Sequence, residues 1–587
     1  MKKLLLTLAS AVLLGALLPG IATARGAARH PVSASLPGMV SASDPRAVAA
    51  GVKILREGGS ATDAAIATML ALNVVEPQNS GLGGGSFLVQ HDAQTGRSTT
   101  IDGREAAPQA ATPYWFYAPD GTPLSHGAAV PGGRSVGVPG SLRAMALAHG
   151  QHGRLPWAKL FEPAIALARD GFEVTPRLHN GLVNLGGHID PWARAHFFPG
   201  GAAVAVGAIL KSPEQAALFG QIAQKGPDYF YIGPPAKRLV AAVNSAAHNP
   251  SKMTLADLAS YRAKERPTLC GTYRTYRICG MGPPSSGGIA VLTILKQLER
   301  FDMAALGKDN PVAWHLFAES ERLAYADRDL YLGDTDFVKV PVQGLLDPAY
   351  IRSRSALISP DKTMATIAPG VPPGAPPRLK MPSSEVPGTS DLVAIDRRGN
   401  VVEVTTTIEG YFGSGLSLDG IMLNNELTDF DITPARDGYL VANRVQGGKR
   451  PRSSMSPTIV YDARGTVRIA IGAAGGSTII AQVAKALVAV LDWHMPAQDA
   501  IALGLLYAPG PVAYAEKGTQ LDAMVPALQA LGEQVQSAPL GLKANAIERV
   551  GGKWIGAADP RSEGVAMSED GTVTKIVRAG ALPRPAE

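Results

Sequence analysis

From Ser43 onward, apolar positions recur with a helical spacing, introduced by Ser43-Asp44-Pro45, capping residues followed by proline in the first turn, and ended by Glu57-Gly58-Gly59. A second, alanine-rich helix is expected over 61–75, stopped at Glu76-Pro77. The glycine cluster Gly81-Leu82-Gly83-Gly84-Gly85 then leads into strand-like Ser86-Phe87-Leu88-Val89, and so many glycines imply closely approaching backbones. From about 150 to 360 the pattern is mostly helical, as at 157–169 and 315–331, with a short hairpin inserted near Cys270. In 369–388, seven of twenty residues are proline; such a run can be neither helix nor central strand and is expected to be exposed and extended. Directly after it, Leu392 to Asp396, the turn Arg397-Arg398-Gly399-Asn400 and Val401 to Thr407 read as a β-hairpin.

Composition narrows the class. Of 587 residues 46% are hydrophobic and 18% charged, which excludes long disorder and coiled coil. A net charge of +6, with no basic run beyond Lys449-Arg450-Pro451-Arg452, gives no nucleic-acid footprint. Lys2-Lys3, the apolar stretch Leu4 to Leu18 and the small-residue site Ala22-Thr23-Ala24 predict a secretory signal over 1–24, so export to a periplasm or beyond is expected. That stretch is shorter than the roughly 20 residues a membrane span needs, and no membrane span is expected in the mature chain. An oxidising compartment would allow Cys270 and Cys279 to close a hairpin as a disulfide; two separate strand thiols are the equal alternative.

Two chemistries drop out. Gly133-Arg134-Ser135-Val136-Gly137 matches the nucleophile-elbow pattern, but no strand leads into it. None of the eleven histidines falls in a tight ligand cluster, so neither metal nor cofactor is expected. Gly388-Thr389, between the proline-rich run and the hairpin, is more telling. A hydroxyl residue there suits an enzyme that cuts its own chain: an N-terminal threonine carries its own base, because its free α-amine can take the hydroxyl proton.

Several further motifs occur in order: Asn79-Ser80-Gly81-Leu82-Gly83-Gly84-Gly85, Asp102-Gly103-Arg104-Glu105, Pro283-Pro284-Ser285-Ser286-Gly287-Gly288 and Leu323-Ala324-Tyr325-Ala326-Asp327-Arg328. Asn424-Asn425-Glu426-Leu427-Thr428-Asp429-Phe430, Arg452 to Thr458 and Gly475-Gly476-Ser477 complete the series. With these, nearly the whole mature chain resembles the γ-glutamyltransferase (glutathione hydrolase) family of N-terminal-nucleophile hydrolases. The resemblance implies an α+β fold, a four-layer αββα sandwich. It also implies two subunits from one self-cleaved precursor, a large subunit over 25–388 and a small catalytic subunit over 389–587.

The resemblance further assigns Thr389 as nucleophile, with Gly388-Thr389 as the cleavage site, and Thr407 as the threonine that orients it, although Thr407 alone reads as an ordinary strand residue. The amides of Gly475 and Gly476 would form the oxyanion hole. Arg104, with the hydroxyls of Ser453 and Ser454, would hold the α-carboxylate of a γ-glutamyl group; Glu409, Glu426 and Asp429 would hold its ammonium. The implied substrates are glutathione and related γ-glutamyl compounds, with water, amino acids or peptides as acceptors.

The chain departs from the family in three places. It has Thr389-Ser390-Asp391 where Thr-Thr-His is usual, Glu409 and Glu426 where some members carry Asn and Gln, and a stretch 431–449 intermediate between members with and without a lid loop. Two rival readings follow: a glutaryl or cephalosporin acylase of the same superfamily, and a secreted binding protein that never matures. Three acids around the neutral methylene chain of a glutaryl group would be unpaired, which argues against the first.

Overall fold

The computed structural model describes residues 36–185, 188–376, 388–436 and 439–574. The expected signal segment 1–24 and residues 377–387 of the proline-rich run lie outside these.

In chain order the frame begins with strand β1 (Met39–Ala42), helices α1 (Pro45–Arg56) and α2 (Ala61–Val75), and strands β2 (Gly85–Asp92) and β3 (Arg97–Gly103). A helix-rich stretch opens with α3 (Ser141–His152) and leads to β4 (Lys264–Arg266), β5 (Leu269–Tyr273), β6 (Tyr276–Gly280), α4 (Gly287–Leu298) and α5 (Pro311–Tyr331). Beyond residue 388 come β7 (Ser390–Ile395), β8 (Val401–Thr407), β9 (Thr458–Tyr461), β10 (Val467–Ala474) and α6 (Thr478–Leu491). Strands β11 (Lys543–Val550), β12 (Lys553–Ala558) and β13 (Val565–Ser568) finish the frame.

These strands form two antiparallel sheets, ordered β13-β1-β7-β8-β2-β3-β4 and β12-β11-β10-β9-β6-β5. Helices α1, α2 and α3 cover the outer face of the first, and α4 and α6 that of the second, with α5 against α4. The inner faces meet where β7 touches β10 and β11, and β8 touches β10, giving the four-layer αββα order. Both sheets mix strands from before and after residue 388, so the two expected polypeptides share the ladders β1–β7, β2–β8 and β6–β9. A cut at 388 breaks none of these ladders.

Every residue of β7 and β8 is buried, because both strand faces are covered. Leu392, Ala394, Val402 and Val404 pack with α1 and α2, while Val393, Ile395 and Val401 join Ile469 and Ile471 of the second sheet. Each such side chain contributes about 1.5–3 kcal/mol by burial. Their turn is fixed by Asp396, whose carboxylate accepts from the amides of Arg398 (2.9 Å) and Asn400 (3.1 Å), with Gly399 at φ +83°.

Two boundaries differ from expectation. The helix predicted over 157–169 is a 3-10 turn, Trp157–Phe161, followed by the helix Glu162–Asp170; Pro163 restarts it in a first turn, where its missing N–H costs nothing. The helix expected from 315 starts at Pro311, capped by the Asn310 side chain on the Val312 amide at 3.0 Å. Cys270 and Cys279 face each other across β5 and β6 and are disulfide-bonded, with a Cα–Cα distance of 4.1 Å.

Candidate active site

Thr389 immediately precedes β7, and Thr407 is the last residue of the neighbouring β8. Their hydroxyl oxygens lie 3.5 Å apart, and both donate to the Gly388 carbonyl, at 2.7 Å from Thr389 and 2.6 Å from Thr407. Thr407 Oγ1 also accepts from the Glu409 amide at 2.7 Å. The carbonyl of the expected scissile bond is thus gripped by the two threonines the sequence singled out. Gly388 is tightly enclosed: a Cβ there would come within 2.0 Å of the Glu409 carbonyl oxygen.

Gly475 and Gly476 form the sharp link from β10 into α6, at φ +133° and +60°. Left-handed backbone of this kind favours glycine, and the turn sets both glycines just before a helix N-terminus, on pockets that Thr389 also lines. Gly476 shares a pocket with Thr389, Thr407, Arg104, Glu409, Glu426, Asp429, Ser453 and Ser454. Gly475 lies on an adjoining pocket that Thr389 also lines. The structure therefore brings nine sequence-predicted residues onto the two pockets that Thr389 lines.

The charges are unusual. Arg104 is buried; its guanidinium donates to Glu426, to Asp429 at 2.5 Å and to the Arg452 carbonyl at 2.9 Å. Burial opposes its charge, but Glu426, Asp429 and Glu105 outweigh that and raise its pKa. Burial pushes the Glu105 carboxyl up to about 7 against the pull of Arg104, and it pushes Glu426 up as well, so these two neighbours do not both ionise at neutral pH. Glu409 sits at φ +74°, a strained conformation for a non-glycine residue, and accepts from the Asn425 side chain. Arg104 thus faces the carboxyl groups of Glu105, Glu426 and Asp429, and Glu409 lines the same pocket.

The other motifs act as supports. Arg328 donates to Ser286 Oγ at 2.8 Å and to Ser454 Oγ at 2.7 Å, while Ser286 Oγ donates to the Ser453 carbonyl at 2.6 Å. The segments 283–288 and 323–328 therefore hold the serine pair in place. Asn443 ties the 431–449 stretch to the site by donating to the Asp429 carbonyl at 2.7 Å.

The two decoys resolve differently. Ser135 is buried in a 3-10 turn and donates to the carbonyls of Val130 and Gly132, with no strand leading into it. Among the described residues one cluster, His315, Glu319 and Glu533, has the spacing of a cation site. Arg322 already fills that role, donating to both carboxylates.

The departure at 390–391 has a structural counterpart. Ser390 donates to Glu76 at 2.6 Å, and Glu76 pairs with Lys543 at 3.1 Å. Asp391 faces Glu403 between the sheets, and Gly472 leaves room for both carboxyls, since a Cβ there would meet them at 2.2 and 1.9 Å. Burial pushes Asp391 up to about 6 and Glu403 well above its usual range.

A family model described as Gamma-glutamyltranspeptidase matches residues 47–569. The chain belongs to the γ-glutamyltranspeptidase family. The glutathione hydrolase proenzyme of Bacillus subtilis (strain 168) is 36% identical to this γ-glutamyltranspeptidase-family chain over 544 residues, covering 90% of this chain and 91% of that one. The glutathione hydrolase proenzyme of Escherichia coli (strain K12) is 37% identical over 549 residues, 91% and 92% of the two chains. Among solved structures, the cephalosporin acylase from Bacillus halodurans superposes with a TM-score of 0.79 at 25% identity, covering 94% of this chain and 99% of that chain. As a member of this family of proenzymes, the chain is an enzyme of the N-terminal-nucleophile type, made as one precursor.

Sequence reasoning missed several residues at the site. Glu105 lay inside a quoted motif, yet only the fold turns it toward Arg104. Arg177, Tyr411 and Lys543 carry no local signal; strand pairing and loop closure alone bring them beside Thr389.

Proposed function

We propose that Thr389, freed by cleavage of the Gly388–Thr389 bond, attacks the γ-amide of glutathione and related γ-glutamyl compounds. The Thr389 Oγ1–carbonyl bond forms as the amide C–N bond breaks; the hydroxyl proton, taken by the α-amine, goes to the leaving amine. Water or the amine of an amino acid or peptide then takes the γ-glutamyl group, releasing Thr389. In this reading Thr407 orients the nucleophile, and the amides of Gly475 and Gly476 stabilise the oxyanion. Arg104, Ser453 and Ser454 hold the α-carboxylate, while Glu409, Glu426 and Asp429 hold the ammonium.

The observation that carries this reading is the buried Arg104 guanidinium paired with Glu426 and Asp429 in the pocket that Thr389 also lines. A zwitterionic head group can exchange partners there, its carboxylate replacing an acid on Arg104 while its ammonium pairs with the acid released. A glutaryl group brings no ammonium to take up the acid that its carboxylate would release from Arg104, which disfavours the acylase reading.

The test is release of glutamate from glutathione by the purified, matured protein, compared with hydrolysis of the glutaryl analogue that lacks the ammonium. Preference for glutathione by two orders of magnitude or more supports the reading; equal or better cleavage of the glutaryl compound overturns it. We also propose export, with signal removal near Ala24, a large subunit over 25–388 and a small one over 389–587. The leader pattern of residues 2–24 and the Cys270–Cys279 disulfide support export. An N-terminal sequence of the mature protein that begins at Met1 would refute signal removal.

A further inference from the structure

Thr389 borders two pockets of opposite character. The first holds Arg104 with Glu409, Glu426 and Asp429. The second, lined also by Gly475, contains Arg177 and Lys543 with Asn79 and Tyr411, and among the described residues no carboxylate lines it. Gly388 lies on both, so a substrate amide placed where the scissile carbonyl now sits would send its acyl half into one pocket and its amine half into the other.

The cations are placed by the frame. Lys543 opens β11 directly opposite Ala474, the residue before the oxyanion glycines, and its amide donates to Gln482 Oε1 at 3.1 Å. Its ammonium is buried, bonded to Glu76 at 3.1 Å and to Ser390 Oγ at 3.4 Å. Arg177 stands in the first turn of the helix Pro176–Val183; its Nε is 3.8 Å from Glu76, beyond hydrogen-bond distance. Two cations therefore share one nearby carboxylate that does not itself line the pocket. The Asn79 side chain is fully buried there, and among the described residues neither its amide nitrogen nor its oxygen has a hydrogen-bond partner. A buried amide in that state is costly unless a ligand completes it.

We propose that this second pocket is the subsite for the amine half of the reaction, and that Arg177 and Lys543 select leaving groups and acceptors bearing a carboxylate, as free amino acids and short peptides do. The inference rests on the γ-glutamyl reading above and extends it from the acyl half to the amine half. Opposite charges on the two sides of Thr389 also fix the direction in which a donor lies, ammonium toward Asp429 and distal carboxylate toward Arg177. Backwards binding would set the ammonium of the donor against Arg177 and Lys543 and away from Asp429.

The test uses two isosteric donors, γ-glutamylglycine and γ-glutamylglycinamide, which differ only in the charge of the leaving half. Release of glutamate is measured with matured enzyme, maturation being verified by intact mass. A buried charge-assisted hydrogen bond corresponds to roughly ten- to hundredfold in kcat/KM, and the wild type is expected to favour γ-glutamylglycine by about that factor. Arg177→Gln and Lys543→Met should each lower the ratio of the two kcat/KM values by about tenfold, and Lys543→Arg should recover most of it. A merely structural role would depress both donors together and leave the ratio in place. A wild-type ratio near one overturns the proposal without any variant, as does a ratio that survives Arg177→Gln. Failure to cleave either donor would defeat the γ-glutamyl reading itself, whereas cleavage of both at equal rates defeats only the subsite.

Discussion

Replacing Gly388 by alanine should slow maturation sharply. The added Cβ would stand 2.0 Å from the Glu409 carbonyl oxygen and 2.8 Å from the Gly410 carbonyl carbon, both backbone atoms that cannot swing aside. Restoring an ordinary contact requires a displacement of about 1 Å or more, and a misplacement of that size costs roughly 100-fold in a positioned reaction. That factor equals about 2.7 kcal/mol of barrier. The Gly388 carbonyl is the atom group held by Thr389 at 2.7 Å and Thr407 at 2.6 Å, so the shift falls on the reacting geometry. In a time course of intact mass, signal-less wild-type protein should resolve into chains of about 38 and about 21 kDa, scaled from 61.0 kDa over 587 residues. Gly388→Ala should persist as one chain at least tenfold longer, and Thr389→Ala indefinitely. Once the bond is cut, residue 388 is a free chain end, so whatever mature Gly388→Ala enzyme forms should turn over donor like wild type. Maturation at the wild-type rate would refute the assignment of the cut, the cradle, or both.

Three further outcomes follow from the geometry. Thr407→Val removes the hydroxyl that donates to the Gly388 carbonyl and accepts from the Glu409 amide, and one lost bond of about 1–1.5 kcal/mol should slow self-cleavage roughly tenfold in the same mass assay. Asp391 and Glu403, both raised by burial, hold protons in the folded state that the unfolded chain releases above its ordinary carboxyl pKa near 4. Stability should therefore fall as pH rises from about 4 through about 6 and beyond, and Glu403→Gln should flatten the dependence of Tm on pH between 5 and 8; an unchanged slope would count against the pair. Cys270→Ser with Cys279→Ser opens a short cross-link and should lower stability by about 2–3 kcal/mol, read as a Tm loss that reductant reproduces in the wild type.

The local sequence determined much of the frame. Asp44 and Ser60 start α1 and α2 with side chains that cap free amides, and Asp396 with Gly399 and Asn400 fixes the turn that pairs β7 with β8. Motif order also named Thr389 and nine residues that line its two pockets, because glycines, serines and the Gly388-Thr389 step stand in recognisable local motifs. Tertiary structure alone decided the electrostatics. Glu105 follows Arg104 in sequence, but its raised pKa depends on complete burial and on the charge of Asp429, more than three hundred residues away. Asp391 and Glu403 look like ordinary strand acids until stacking of the second sheet, with no side chain at Gly472, seals them together. Lys543 and Arg177 reach Thr389 only through the β10–β11 ladder and the packing of the 176–183 helix. Charge and burial at a point in space are sums over distant segments, so a chain read in order carries the parts of such a site but not its field.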